Sequence, residues 1–383
     1  MRRRPILFAA ALLTGASVVT IAAVAQGNRS TGYLPSAPYP SETQPFTPTP
    51  VAEFQDPWAI GFLPDNRLLV TEIEGRLFLL TPDGERTEVT NLPPVAAGGQ
   101  VGLHDVAASP DYAQTGRIYL SYSAPSENGT QITLAHAVLR QGDGTAQLAD
   151  LTEIFRQPQQ SWGGHPGAII AFDPAGEHVF LTLGERQEEQ HAQDPDMARG
   201  KIIRLLLDGS VPEDNPWASE GGFRAQTWTT GHRNPYGLAF DADGVLWEHE
   251  MGPRGGDEVN RIEPGLNYGW GEVSEGVGYD FAAIPHHDTN PDFTPPEHAW
   301  GTGTAPSGLA FYHGEDFPDW QGSALVGALA GQALIRLSFE GGQPAEAERW
   351  DMGARIRDVD VAPDGTVWVL EDGAPGRLLR LDF

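Results

Sequence analysis

One phrase recurs along this chain: usually one or two apolar residues, a turn built on Pro, Asp or Gly, then a short alternating apolar run. It reads Gly61-Phe62-Leu63-Pro64-Asp65-Asn66 before Leu68-Leu69-Val70, and Ala108-Ser109-Pro110-Asp111 before Ile118-Tyr119-Leu120. It returns as Ala171-Phe172-Asp173-Pro174-Ala175-Gly176 before Val179-Phe180-Leu181, and as Ala239-Phe240-Asp241-Ala242-Asp243-Gly244 before Val245-Leu246-Trp247. A weaker copy, Phe317-Pro318-Asp319 before Ala324-Leu325-Val326, precedes the last, Val361-Ala362-Pro363-Asp364-Gly365 before Val367-Trp368-Val369. Between Pro64, Pro110, Pro174, Ala242, Pro318 and Pro363 the intervals are 46, 64, 68, 76 and 45 residues. The shortest match the roughly 40–50 residues of a four-stranded propeller blade, and the longer ones require insertions. Helix-period stretches are scarce, and 46 Gly and 32 Pro supply dense turn punctuation. The pattern predicts an all-β fold, a six-bladed β-propeller with its functional loops on one central face. A β-sandwich array would leave the repeated phrase unexplained.

The ends of the chain read differently. Arg2-Arg3-Arg4, an apolar run from Ile6 and the closing Ala23-Val24-Ala25 predict a secretory signal peptide over residues 1–25. The run is long enough to serve as an uncleaved anchor, but its A-x-A ending favours cleavage. Residues 26–53, rich in Pro, Ser and Thr, read as an extended tether, and 54–383 as the propeller domain. The expected location is therefore periplasmic or secreted, with no integral membrane domain after cleavage. The absence of Cys rules out disulfides, thiolate chemistry and Cys-zinc sites. A formal net charge of -28 argues against a nucleic-acid partner, since phosphate binding needs a basic surface.

Against that acidity, a few arginines stand out. Gly231-His232-Arg233-Asn234-Pro235 is followed by Gly252-Pro253-Arg254-Gly255-Gly256-Asp257-Glu258 and Asn267-Tyr268-Gly269-Trp270. Forked guanidinium donors suit carboxylates or phosphates, and backbone carbonyls with carboxylates suit Ca²⁺. Together they point to a polyanionic ligand held with a hard cation. Ser161-Trp162-Gly163-Gly164-His165-Pro166-Gly167 leaves His165 open to a substrate, a candidate general base, although a lone histidine is more often structural. Gln100 has a similar glycine-rich setting. Arg355-Ile356-Arg357 has strand alternation, which aims two like charges one way and calls for an anion between them. Trp300, ahead of Thr302 and Thr304, offers either a stacking platform or a core residue. The charged run from Glu185-Arg186 to Asp194 is compatible with a solvated loop.

These segments resemble the soluble pyrroloquinoline quinone (PQQ)-dependent sugar dehydrogenases of the glucose/sorbosone dehydrogenase family, nearest the aldose sugar dehydrogenase branch. The resemblance spans roughly residues 54–383. It rests on the Gln100 loop, His165 with its glycines, Leu183-Gly184-Glu185-Arg186, Gln193-Asp194, Gly200-Lys201-Ile202-Ile203-Arg204, the three segments from Gly231 to Trp270, Ala305-Pro306-Ser307 and Arg355-Ile356-Arg357-Asp358. It implies that His165 is the general base on the sugar's C1 hydroxyl and that Arg233 stabilises charge on the quinone. It implies that Asn234, Thr302 or Thr304, Arg355 and Arg357 hold PQQ, and that Gln100 and Trp300 face the sugar. Gly252 and Pro253 would present carbonyls to a catalytic Ca²⁺, and Glu258 with the Tyr268 carbonyl would bind a second, structural one. An external electron acceptor is implied, and the oligomeric state is left open.

The chain departs from the glucose-oxidising branch at Ala330, where that branch has a cofactor-binding lysine, and at Met251, which replaces a hydrogen-bonding side chain. Two other classes compete with this reading: a Ca²⁺-dependent propeller lactonase, which leaves the arginines unexplained, and a non-catalytic carbohydrate- or protein-binding propeller, which leaves His165 and Arg233 unexplained.

Overall fold

The computed structural model describes residues 42–301 and 303–383. The expected leader, residues 26–41 of the expected tether and Thr302 lie outside them. The rest is all-β, with one four-residue α-helix, Tyr112–Thr115, and short 3-10 turns. Among the described residues there are four antiparallel four-stranded sheets and one eight-stranded sheet. The latter comprises two antiparallel four-strand runs, Pro57–Phe62 to Arg86–Thr90 and Leu103–Ala108 to Thr145–Arg156. They meet at their outer strands through two parallel pairs, Val89↔Ala146 and Thr90↔Gln147.

The recurring turn phrase has a single structural meaning. Each copy follows the first strand of a four-strand run: Pro57–Phe62, Leu103–Ala108, Gly167–Phe172, Pro235–Phe240, Pro306–Phe311 and Ile356–Val361. These strands contact one another in that order, and the last returns to the first. Turn aspartates cap the reversals: Asp173 Oδ1 accepts from the Glu177 and His178 amides, and Asp241 Oδ1 from Asp243 and Val245. Gly244, at φ 79°, supplies the left-handed step that a side chain would resist. All six first strands carry a register shift near their start, between Pro57 and Ile60 in the first and Ile356 and Asp358 in the last. Such bulges re-aim neighbouring side chains, and the candidate site residues flank several of them.

The tether was expected to run to residue 53, and this boundary is corrected. Thr47–Phe54 is the outer strand of the last sheet, paired with Gly376–Asp382 from Thr47↔Asp382 to Phe54↔Gly376. Pro48 and Pro50 disguised it, because proline is a poor strand former except at an edge, which is where this strand lies. An N-terminal strand thereby completes a sheet made by the C-terminal ones. Phe54, Leu68, Val70, Trp368 and Leu370 share one core cluster between that sheet and its neighbour. Among the described residues no helix is long and apolar enough to cross a membrane.

At the centre of the ring lies a cavity of about 300 Å³ lined by Asp105, Asp358 and Asp360 among others. Two of these carboxylates stitch adjacent first strands together: Asp105 Oδ2 accepts from the Ile170 amide at 2.7 Å, and Asp358 Oδ2 from Ile60 at 2.7 Å. Burial pushes Asp105 up to about 6, Asp360 up to about 7 and Asp358 well above the usual carboxyl range. A folded-state pKa above the unfolded value means the folded chain binds these protons more tightly. The stabilisation is therefore complete below the ordinary carboxyl range and is lost as pH rises through about 6–7. Thermal melts should show lower stability at pH 8 than at pH 5. Asp360→Asn should recover about 1–3 kcal/mol at pH 8, below the full value for its shift because the group is only half-buried. A mutant that melts in parallel with the wild type across this range would contradict the assignment.

Candidate active site

His165 is held from both sides. Its backbone adopts φ 51°, uncommon for a residue with a side chain, its amide donates to Gln100 Oε1 at 2.6 Å, and its carbonyl accepts from Arg186 N. A Cβ on Gly184 would lie 2.1 Å from the His165 carbonyl oxygen, so glycine is required there for close approach. The imidazole Nδ1 is 2.7 Å from Glu185 Oε1, and Glu185, itself buried, accepts the Glu188 amide on its other oxygen. A carboxylate at Nδ1 places the ring proton there and leaves Nε2 as the acceptor.

The Glu185-Arg186 pair is thus no solvated loop. Arg186 is buried and donates to Thr130 Oγ1, Ser161 O and Gly163 O, and burial pulls its pKa down to about 10. The Glu185 amide donates to the Arg233 carbonyl, which ties this segment to the next.

Arg233 and Asn234 are also buried. Both of their amides donate to Glu250 Oε2. The Arg233 guanidinium lies over Trp270, 5.1 Å from its centroid, and donates to Met251 O and Tyr279 Oη, while its Nε has no partner. Asn234 Oδ1 accepts from Gly167 N, and its Nδ2 faces the Met251 sulfur at 4.0 Å, so the departure at Met251 leaves a weak acceptor in contact with the motif.

Asp257 braces the next segment, accepting Gly252 N on one oxygen and Ala305 N on the other, and burial pushes it up to about 6. No hydrogen bond among the described residues ends on the carbonyls of Gly252 or Pro253. Glu258 is buried beside a small cavity shared with Arg233, Glu250, Gly252 and Tyr268, and burial pushes it up to about 8. The Tyr268 carbonyl accepts His287 Nε2 at 3.0 Å, which makes it the least available of the expected metal ligands.

Arg355 and Arg357 line a cavity of about 390 Å³ with Trp58, Gln100, Met251 and Asp372. The anion that two like charges require is supplied by the chain itself. Arg355 Nε donates to Asp372 Oδ2 at 2.6 Å, and Arg357 NH2 to Oδ1 at 2.6 Å. Burial alone would raise the Asp372 pKa, but the two arginines outweigh it and hold the carboxyl below its usual range. Arg357 also stacks on Trp58 at 4.5 Å and is only 11% exposed in its side chain, against 46% for Arg355. Gln100 joins the two halves of the site, since it lines this cavity and also accepts the His165 amide.

Two expected site residues are not where the resemblance put them. Trp300 is a core residue, 2% exposed, packed with Trp247 and Ile335 and bonded through Nε1 to Glu346, so it is no sugar platform. Thr304 is fully buried, and its hydroxyl lies 3.5 Å from Arg349 Nη2 instead of lining the cavity. Thr302 falls outside the described residues. Ala330 is exposed at a turn, and its neighbour Leu329 lines the cavity instead. Glu185, Glu250 and Asp372 are supporting carboxylates that the motifs gave no role, and Asp257, read there as a carboxylate for a hard cation, is committed instead to the Gly252 and Ala305 amides. Trp162, 69% exposed and three residues before His165, Tyr279, 67% exposed on Arg233, and Phe281, 64% exposed on Arg254, are solvent-facing aromatics of this region.

An all-β ring whose loops assemble a carboxylate-oriented histidine and an arginine-lined cavity has the layout of an enzyme for a small polar substrate. Residues 54–380 match the glucose/sorbosone dehydrogenase family, and the chain belongs to that family. It is 40% identical over 333 residues to aldose sugar dehydrogenase YliI of Escherichia coli (strain K12), covering 85% of this chain and 89% of that protein. A crystal structure of a glucose dehydrogenase superposes with TM-score 0.83 at 41% identity, covering 87% of this chain and 99% of the other. The PQQ-bound aldose sugar dehydrogenase of Streptomyces coelicolor superposes at TM-score 0.72 and 27% identity over 90% and 99% of the two chains.

Proposed function

We propose that this chain is a PQQ- and Ca²⁺-dependent aldose dehydrogenase that oxidises the sugar C1 hydroxyl to the lactone and passes the electrons to an external acceptor. The fold is read as a six-bladed propeller, with two blades sharing the eight-stranded sheet. The observation that carries the reading is the His165–Glu185 pair: the carboxylate on Nδ1 leaves Nε2 as the acceptor, and the His165 amide is bonded to Gln100, which lines the arginine-bearing cavity. PQQ relatives and the family match support it.

The donor set fits both groups. Arg357, Arg355 and Asn234 would hold the cofactor's carboxylates and ring, with the unpartnered Arg233 Nε marking spare donor capacity. The Gly252 and Pro253 carbonyls, together with Glu258 nearby, fit a hard cation. When bound, PQQ with its Ca²⁺ supplies a polarised quinone as the two-electron sink for the C1 hydride. His165 Nε2 takes the hydroxyl proton, and Glu185 stabilises the resulting imidazolium and fixes its orientation. Arg233 lies against Trp270 and Tyr279, where its charge can stabilise an oxyanion. The leader over residues 1–25 makes export to the periplasm or beyond part of the proposal.

Pairing with Asp372 changes what the two arginines contribute. Arg357→Ala should weaken PQQ binding by about 1.5–3 kcal/mol, since it removes a shielded charged donor. The more exposed Arg355→Ala should cost less than about 1 kcal/mol. Calorimetric titration of the Ca²⁺-loaded apoprotein measures both. Unchanged affinity in the double variant would show that the arginines serve only Asp372.

A further inference from the structure

Behind Arg233, three ligand-bearing side chains converge in a place that the sugar chemistry does not use. Strand Leu246–Glu250 carries Glu248 and Glu250 two residues apart and so on one face, and His232 comes up against them from the neighbouring segment. One ligand atom from each of His232, Glu248 and Glu250 lies within 4.8 Å of the other two, and all three residues are buried. Among the described residues no other group of His, Asp and Glu converges in this way. Glu258, opposite Glu250 on the next strand, does not belong to it.

Each side chain is anchored by one atom and offers another inward. His232 Nε2 meets Thr229 Oγ1 at 2.9 Å, Glu248 Oε2 accepts Asn260 Nδ2 at 2.9 Å, and Glu250 Oε2 accepts the Arg233 and Asn234 amides. On the inner side, His232 Nδ1 and Glu248 Oε1 are buried without any hydrogen bond, and His232 Nδ1 stands 3.5 Å from Glu250 Oε1. Outer anchors that orient inward lone pairs are the arrangement that surrounds bound metals. Two adjacent buried carboxylates also call for a positive charge, and no Arg or Lys is paired with either Glu248 or Glu250 among the described residues.

We propose that His232 Nδ1, Glu248 Oε1 and Glu250 Oε1 bind a divalent transition-metal ion. An imidazole with two carboxylates suits Zn²⁺ or Mn²⁺ and disfavours Ca²⁺, which takes oxygen ligands alone. Because Glu250 also holds the Arg233 and Asn234 amides, the ion would stiffen that segment from behind. The inference does not depend on the PQQ reading.

The test uses the full chain without a histidine tag, produced with Mn²⁺ or Zn²⁺ supplied and analysed by elemental mass spectrometry. One equivalent of transition metal per chain is expected. The Mn²⁺ form should show electron-spin coupling to one histidine nitrogen. Glu248→Gln and His232→Gln should each lower occupancy at least tenfold while Ca²⁺ content stays unchanged. Wild-type protein that takes up no transition metal, or variants that retain the full equivalent, would overturn the site and leave a shared proton as the neutralising charge. Should the variants fail to fold, the wild-type Mn²⁺ spectrum decides, and a spectrum lacking nitrogen coupling counts against the site.

Discussion

His165→Ala is expected to lower kcat by about 10²–10⁴-fold while leaving PQQ affinity nearly unchanged, because a general base acts on the proton in flight and not on cofactor binding. The geometry adds a second, graded expectation. Glu185 faces Nδ1 at 2.7 Å and is buried, so Glu185→Gln keeps a hydrogen-bonding partner but removes the charge that fixes the tautomer. That variant should lose about 10²-fold or more in kcat with little change in PQQ affinity. Stopped-flow reduction of the cofactor with calorimetric PQQ titration would separate the two quantities. Near-normal turnover in His165→Ala would remove the base assignment.

Removal of the divalent cation should abolish activity altogether. The free carbonyls of Gly252 and Pro253, braced by Asp257, and the nearby Glu258 are all hard oxygen donors, and no cysteine is present in the chain. Such a set favours Ca²⁺ over softer ions. EGTA treatment should therefore eliminate dye reduction, Ca²⁺ should restore it, and Zn²⁺ should be a poor substitute. Because Glu258 is pushed up to about 8 by burial, protons should compete with Ca²⁺ at its site, so occupancy there should rise with pH through neutrality. Full activity after exhaustive chelation, with Ca²⁺ content checked independently, would rule the role out.

Local chemistry and long-range packing were unequally legible in the sequence. The turn phrase could be read because each copy is a self-contained reversal, with its own Asp or Pro cap and its own alternating strand. Thr47–Phe54 could not, because its strand character comes only from pairing with Gly376–Asp382, more than 300 residues away. The site shows the same division. Glycine-flanked His165, Arg233 and the Gly252-Pro253 pair are conspicuous in their own segments. The carboxylates that orient and neutralise them are not: Asp372 meets Arg355 and Arg357 through strand pairing, and Glu250 reaches the Arg233 and Asn234 amides from another strand. Trp300 marks the limit most clearly. A platform tryptophan and a core tryptophan have the same local signature, and only the packing against Trp247 and Ile335 separates them. Glu185 sat in a charged run that resembled a solvated loop until burial and a 2.7 Å contact to His165 gave it a role.

The central claim is tested most directly by reconstitution. Purified, metal-stripped apoprotein would be mixed with PQQ and Ca²⁺, and dye reduction followed across a panel of aldoses. Aldose-dependent reduction that requires both additions, with lactone formed in step with reduced dye, is the expected result. A folded protein that binds no PQQ in the presence of Ca²⁺, and reduces no dye with any aldose, would contradict the enzyme reading and make a binding propeller the better account.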